Sequence, residues 1–90
     1  MSLKKTFQAL SDPTRREILS LLRERPLAAG DIAARFDLKA ATISHHLGIL
    51  RSAGLVSDER SGKNVIYELN LSVMEEIINW IKTLSGGIDT

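Results

Sequence analysis

One segment, residues 38–55, constrains what this chain can fold into more than any other: LKAATISHHLGILRSAGL. Three aliphatic residues recur in it with helical spacing and predict one buried stripe along a helix: Ile43, Leu47 and Leu50. At about 100° per residue, the remaining surface carries small, polar and basic side chains, namely Ala41, Thr42, Ser44, His45, Gly48, Arg51 and Ser52. No acidic residue occurs between Asp37 and Asp58. A helix of this kind suits the major groove of DNA, so the pattern predicts a recognition helix over residues 40–53.

Two more helices are predicted before this segment, over residues 2–10 and 13–24. Asp12 precedes a proline, which favours an extended backbone, and its carboxylate is therefore expected to cap the second helix. Arg15 and Arg16 lie in the first turn of that helix, where the helix dipole disfavours cations. Two interpretations stay open: both arginines are solvated, or at least one contacts a carboxylate or a phosphate.

A helix-turn-helix motif is predicted next. Residues 27–36 indicate a short third helix, and residues 37–39 indicate a tight connection to the recognition helix. The side chains expected to face inward are Leu27, Ile32, Ala33 and Phe36. Lys39 stands where a serine or threonine cap would be preferred, so the recognition helix starts with a weak cap. Gly54 fits the left-handed residue that ends many helices.

A β-hairpin is predicted directly after the recognition helix. Residues 55–60 and 65–70 form its strands around a turn at 61–64, because side chains in the second strand alternate with a period of two. Such a hairpin is a wing, and its tip carries Arg60 and Lys63, which either reach DNA or are simply solvated. The expected fold class is mainly α with a small β-hairpin: a winged helix-turn-helix in the order α-α-α-α-β-β-α.

The last predicted helix, residues 72–85, carries a wide apolar surface and ends at Gly86-Gly87. Its apolar residues are Val73, Met74, Ile77, Ile78, Trp80, Ile81 and Leu84. One small core cannot bury so wide a stripe, and an exposed patch with a tryptophan would be a liability. A homodimer is therefore expected, joined by the first and last helices through Leu3, Phe7, Leu10, Ile77, Trp80, Ile81 and Leu84.

Composition narrows the class of protein. The 90 residues are 43% hydrophobic and 26% charged, which is typical of a single folded domain, here over residues 1–90. The formal net charge of +1 neither demands nor excludes a polyanionic partner. The absence of cysteine excludes disulfides and thiolate metal sites. Because neither a signal peptide nor a long apolar run is found, we expect a cytoplasmic protein.

Four strings stand out when they are taken together: Ser11-Asp12-Pro13-Thr14-Arg15-Arg16, Ile18-Leu19, Ile43-Ser44-His45-His46-Leu47 and Ala53-Gly54-Leu55-Val56. Over about residues 3–82, the chain resembles the ArsR/SmtB family of winged-helix transcriptional repressors. It is similar to SdpR-type autorepressors of that family in the ISHHL segment, in Ser57-Asp58 and in Asn79-Trp80. The resemblance implies a homodimer in which each protomer places one helix in the major groove of a palindromic operator.

Many members of this family sense metal ions, but the residues of their known sites do not match here. The usual cysteine pair would fall near Ala28 and Gly30, which cannot bind a metal. In the last helix, Glu75 and Glu76 point about 100° apart, and no histidine follows His46. We therefore expect no metal at those sites and no cofactor. A ligand of another kind or a protein inducer stays open.

Each polar residue of the predicted motif has an expected role on DNA. Lys39 and Arg51 flank the recognition helix and suit phosphates, whereas Thr42 can donate to a base edge and pack on a thymine methyl. His45 faces outward toward DNA. His46 lies nearer the buried stripe, where a histidine that donates a hydrogen bond at the edge of the core is the alternative to a DNA contact. The expected DNA-binding residues are Lys39, Ala41, Thr42, Ser44, His45, His46, Arg51, Arg60 and Lys63.

Catalysis is not expected. Ser44, His45 and His46 diverge as neighbours on a helix, and no nearby carboxylate could orient a base. The sequence instead predicts a sequence-specific, homodimeric transcriptional repressor. Two alternatives remain: a winged-helix module that binds protein rather than DNA, and a ligand-sensing repressor with a pocket at the dimer interface.

Overall fold

The computed structural model describes residues 3–86 as five helices and three strands. They are α1 (Leu3–Leu10), α2 (Pro13–Glu24), β1 (Leu27–Ala28), α3 (Ala29–Ala33), α4 (Ala40–Ser52), β2 (Val56–Ser61), β3 (Asn64–Leu69) and α5 (Leu71–Leu84). The prediction of a mainly helical winged helix-turn-helix with a hairpin is confirmed. Two details, the start of the first helix at Ser2 and the stop at Gly87, lie outside the described residues.

The apolar stripe of α4 forms the centre of the core. Ile43, Leu47 and Leu50 are almost completely buried, as predicted. They belong to one cluster with Ala9, Ile18, Leu19, Leu22, Leu27, Ile32, Ala53, Leu55, Val56, Val73 and Ile77. Because α4 contacts α1, α2, α3 and β2, its stripe faces into the molecule and its opposite face points outward.

The prediction of one helix over residues 27–36 is wrong at both ends. Leu27 and Ala28 form β1, which pairs antiparallel with β3 and gives a sheet of order β1-β3-β2. The helix α3 covers only Ala29–Ala33, and bonds of the tighter i→i+3 type follow it. The connection to α4 therefore spans residues 34–39 and is twice as long as predicted. Helical periodicity missed β1 because its strand partner is distant in the sequence.

The end of α4 is a complete Schellman motif. Gly54 has φ 78°, which confirms the predicted left-handed residue. Its N–H donates to the carbonyl of Arg51 at 2.9 Å, and the N–H of Leu55 donates to the carbonyl of Leu50 at 3.0 Å. Leu50 and Leu55 are both buried, so the motif also anchors the start of the wing in the core.

The wing is the hairpin of β2 and β3, whose register runs from Val56↔Leu69 to Ser61↔Asn64. Gly62 and Lys63 alone form the loop, so the strands reach one residue nearer to the tip on each side than predicted. Gly62 has φ 62°, whereas Lys63 has negative φ, as a type II′ turn requires. Across residues 3–86, no helix has the length and hydropathy needed to cross a bilayer.

We expect Gly48→Ala to raise the free energy of unfolding by about 1 kcal/mol, because Gly48 lies inside α4 and alanine is the better helix former. A Cβ at this position meets no atom within 4 Å. Gly62→Ala is the matched control: its Cβ is equally unhindered, but its positive φ should cost about 1 kcal/mol. Urea denaturation at one protein concentration measures both. Equal or lower stability of Gly48→Ala would contradict this account of α4.

Candidate nucleic-acid interface

The outer face of α4 is open to solvent. Its exposed residues are Ala41, Thr42, Ser44, His45, Gly48, Arg51 and Ser52, and Lys39 is exposed at the N-cap position. No side chain caps the first turn, and the N–H of Thr42 donates to the carbonyl of Lys39 at 3.0 Å, so the N–H groups of Ala40 and Ala41 are the ones left to meet an anion. The surface thus combines hydroxyl donors, an imidazole and two cations, without a carboxylate on the helix itself. These are the groups that contact phosphates and base edges in a major groove.

His46 differs from the other predicted contacts. Its side chain is only 13% exposed, and its Nδ1 atom lies 3.2 Å from Nη1 of Arg15 and 3.9 Å from a carboxylate oxygen of Asp12. A guanidinium has no acceptor, so Nδ1 must accept this hydrogen bond. The structure therefore supports a histidine at the edge of the core, although its ring accepts from arginine where the sequence had suggested that it donates. His45, by contrast, is exposed.

The guanidinium groups of Arg15 and Arg16 donate to backbone carbonyls and not to a carboxylate. Arg15 donates through Nε to the carbonyl of Ala9 at 2.7 Å, and Arg16 donates through Nη1 to the carbonyl of Leu10 at 2.7 Å. These carbonyls end α1, where the helix dipole is negative and cations are favoured. The cations that α2 disfavours at its start are thus stabilised by the end of α1.

Asp12 caps α2 as predicted. Its carboxylate accepts from the N–H of Arg15 at 3.0 Å, and its backbone is extended. This hydrogen bond, together with the charge that His46 carries when protonated and the charge of Arg15, holds the pKa of Asp12 below its ordinary value of 3.8 against the opposing effect of desolvation.

Arg51 joins the recognition helix to the wing. Its Nη1 atom lies 3.1 Å from a carboxylate oxygen of Asp58 in β2, while its side chain remains 58% exposed. Exposed ion pairs contribute little to stability, but this one orients the guanidinium toward the hairpin. Arg60 and Lys63 are exposed at the tip of the wing. Arg60 and Asp58 lie on the face of the hairpin that Val56 buries, so both belong to the side that faces the helices.

A second exposed surface is apolar and lies on α1 and α5. It is formed by Leu3, Phe7, Ile78, Trp80, Ile81 and Leu84. The rings of Phe7 and Trp80 pack with their centroids 5.6 Å apart and so join the two helices. Ile77 is only 8% exposed and belongs to the core, so it offers little surface to a second chain. Leu10 is half-buried against the core, and Ile78, which the expected interface omitted, is exposed.

The residues at the metal positions that the resemblance implies lie in three different elements. Ala28 is in β1, Gly30 is in α3, and Glu75 and Glu76 are exposed on α5. Over residues 3–86, no group of three or more histidine, cysteine, aspartate or glutamate side chains is arranged to hold a metal ion.

Comparison with known proteins decides the family. The model of the bacterial regulatory proteins of the arsR family matches residues 12–58, which include α2, the helix-turn-helix and the first residues of the wing. The chain belongs to the arsR family. It is 47% identical over 79 residues to the transcriptional repressor SdpR of Bacillus subtilis, with 88% of each chain covered.

Solved structures agree with this family. The crystal structure of an ArsR family transcriptional regulator superposes with a TM-score of 0.89 at 25% identity, covering 93% of this chain and 92% of that one. An ArsR-like transcriptional regulator from Rhodococcus gives a TM-score of 0.84 at 28% identity, covering 93% of this chain and 79% of that one. As a member of the arsR family, the chain is a DNA-binding transcriptional regulator.

Sequence reasoning missed the contacts that two residues, Arg15 and Asp58, make with α4 of this arsR-family chain. Each contacts α4 from another element, and the contact between Arg15 and His46 joins residues 31 positions apart. Periodicity and capping patterns describe local structure, so they could not reveal these contacts. The one available signal was the unfavourable position of Arg15 at the start of a helix, which called for a partner.

We expect the contribution of Asp12 to stability to vanish in acid. Because its pKa is lowered in the folded state, the carboxylate stabilises the fold above the pKa of the unfolded chain, and this stabilisation is lost as the pH falls through the folded pKa. Asp12→Asn keeps the cap but removes the charge. The advantage of the wild type over Asp12→Asn should therefore shrink as the pH falls from about 5 to about 2.5. Thermal melts at several pH values measure this, and a constant difference would contradict it.

Proposed function

We propose that this chain is a homodimeric transcriptional repressor that binds a palindromic operator. The observation that carries the proposal is the outer face of α4, which is exposed and free of carboxylates while its stripe lies in the core. Each protomer would place α4 in the major groove and its wing beside it. A repressor that occupies a promoter in this way excludes polymerase, and the similarity to a transcriptional repressor supports this direction of regulation.

The groups on this surface divide into two roles. Lys39 and the wing cations Arg60 and Lys63 are proposed to bind phosphates, which position the protein without reading sequence. Thr42, Ser44 and His45 are proposed to contact base edges, and Ala41 allows close approach. Arg51 would bind a phosphate only with the part of its guanidinium that the ion pair with Asp58 leaves exposed.

Dimerisation is supported by the apolar surface of α1 and α5. Monomeric proteins rarely expose an apolar patch of this kind, which includes Leu3, Phe7, Trp80, Ile81 and Leu84. Two copies related by a twofold axis would cover this surface and present two α4 helices to two half-sites.

We place the protein in the cytoplasm with the DNA that it binds. The positions that correspond to the family's metal sites hold no pair of residues suited to bind one ion. We therefore propose that the inducing signal is not a metal bound there. A protein inducer is one candidate.

The experiment that tests the function is selection of bound sequences from a random pool of double-stranded DNA. A palindromic consensus with two half-sites is expected, with affinity that falls steeply as salt rises. Recovery of no sequence preference, or affinity that is insensitive to salt, would contradict the proposal and favour a module that binds protein.

We expect variants of the outer face to distinguish the residues that bind phosphates from the residues that contact base edges. Lys39→Ala should weaken binding to all sequences alike and lower the slope of log affinity against log salt by about one unit, whereas Thr42→Ala or His45→Ala should change base preference. Arg25→Ala is the control for lost charge, because Arg25 lies about 15 Å along α2 from the end that contacts α4. Fluorescence anisotropy on consensus and mismatched operators measures each effect. An equal loss of affinity on every operator in Lys39→Ala, Thr42→Ala and His45→Ala would contradict this division of roles.

We expect Leu84→Glu to weaken the dimer, because it puts a charge into the proposed interface at a side chain that is 68% exposed in the protomer. Asn79→Glu is the control for the added charge: Asn79 is exposed on the same helix, but about 140° away around its axis and about 100° from Ile78 and Trp80. Sedimentation equilibrium of both variants measures the dissociation constant. A dimer that Leu84→Glu leaves unchanged, or that Asn79→Glu disrupts equally, would contradict the proposed interface.

A further inference from the structure

The side chain of Arg15 joins three helices. From the first turn of α2, its Nε atom donates to the carbonyl of Ala9 at 2.7 Å and its Nη2 atom donates to the carbonyl of Gln8 at 3.0 Å, both at the end of α1. Its third nitrogen, Nη1, lies 3.2 Å from Nδ1 of His46 in the middle of α4. One planar guanidinium thus connects the helix that carries part of the apolar surface to the helix that carries the outer face.

We propose that Arg15 and His46 are positioning residues that hold α4 at a set orientation to α1, and that they thereby determine the half-site separation that the dimer accepts. This rests on the function proposed above, in which α1 lies at the dimer interface and α4 lies in the groove. His46 then acts through Arg15 and does not contact DNA, which fits its 13% exposed side chain.

The packing between α1 and α4 explains why the contact of Arg15 with His46, here called the link, would affect the orientation of α4. Elsewhere between α1 and α4, an open groove of about 160 Å³ is lined by Lys5, Gln8, Ile49, Ser52 and Ala53. Apolar side chains therefore do not lock the two helices along their whole length. A guanidinium that makes three hydrogen bonds is geometrically specific, because its donors lie in one rigid plane.

The link requires a neutral His46. Nδ1 can accept from Arg15 only while it carries no proton, so protonation there removes the acceptor and puts a second cation beside the guanidinium. The other ionisable groups that face His46 are Asp12, 3.9 Å away at the start of α2, and His45, whose ring centroid is 6.0 Å away on α4. The last turn of α1 presents uncharged carbonyls.

Operators with different spacers test this proposal. The selected palindrome is synthesised with its spacer unchanged, one base pair shorter and one base pair longer, and the affinity ratio among the three is measured for the full chain. His46→Leu removes the acceptor and should lower the preference for the unchanged spacer by about five-fold. His46→Asn supplies an oxygen acceptor that does not titrate. It should keep the preference of the wild type, because its amide oxygen can accept from Arg15 in place of Nδ1.

The matched control is His45→Leu, which changes the neighbouring exposed histidine and should alter base preference but not the spacer ratio. A uniform loss of affinity on all three operators in His46→Leu, with the spacer ratio unchanged, would overturn the proposal, and so would loss of the spacer preference in His46→Asn. If the wild type selects no palindrome at all, the proposed function fails as well. A palindrome that is bound equally by the wild type and His46→Leu at every spacing overturns only the positioning role.

Discussion

The burial of three side chains determines which face of α4 this protein offers to DNA. Ile43, Leu47 and Leu50 are at most 1% exposed, and burying each such side chain contributes about 1.5–3 kcal/mol. A rotation of α4 by one residue would withdraw this stripe from the core and bury polar groups in its place, which is unfavourable without new hydrogen bonds. The outer face can therefore carry whatever residues DNA recognition requires, because it does not determine the orientation of the helix.

Burial fixes the rotation of α4 but not its position relative to a second protomer. That position depends on how α1, α2 and α4 meet, and polar contacts lie there beside the apolar cluster that the three helices share. Asp12 caps α2, Arg16 satisfies the last carbonyl of α1, and Arg15 satisfies two more while it contacts His46. Two helix ends of opposite dipole thus stabilise each other at the point where both approach the recognition helix. The ion pair between Arg51 and Asp58 is a further polar contact of α4, which it connects to the wing.

Local patterns in the sequence predicted most of this fold, and their failures have one cause. The stripe of α4, the cap at Asp12 and the left-handed Gly54 depend on neighbours within five residues, and all three are confirmed. The strand β1, by contrast, exists only because Leu27 and Ala28 pair with β3, far along the chain. Ile77 was assigned to the interface because a stripe shows which residues are apolar but not which of them the protomer's own core covers. The partners of Arg15 and Arg51 were missed for the same reason, since a contact between distant elements leaves no periodic signal.

The recognition helix also violates local rules for helix stability. Its N-cap is Lys39, which makes no capping hydrogen bond, and Gly48 interrupts its interior. Both features lower helix stability, and both lie on the surface that is proposed to meet DNA. An uncapped first turn leaves backbone N–H groups for a phosphate, and a residue without Cβ lets the helix approach the groove closely. Core packing and the Schellman motif at Gly54 offset these losses from the inner face and the far end. Stability and recognition are thereby assigned to opposite faces of one helix, so substitutions on the outer face should change DNA binding far more than folding.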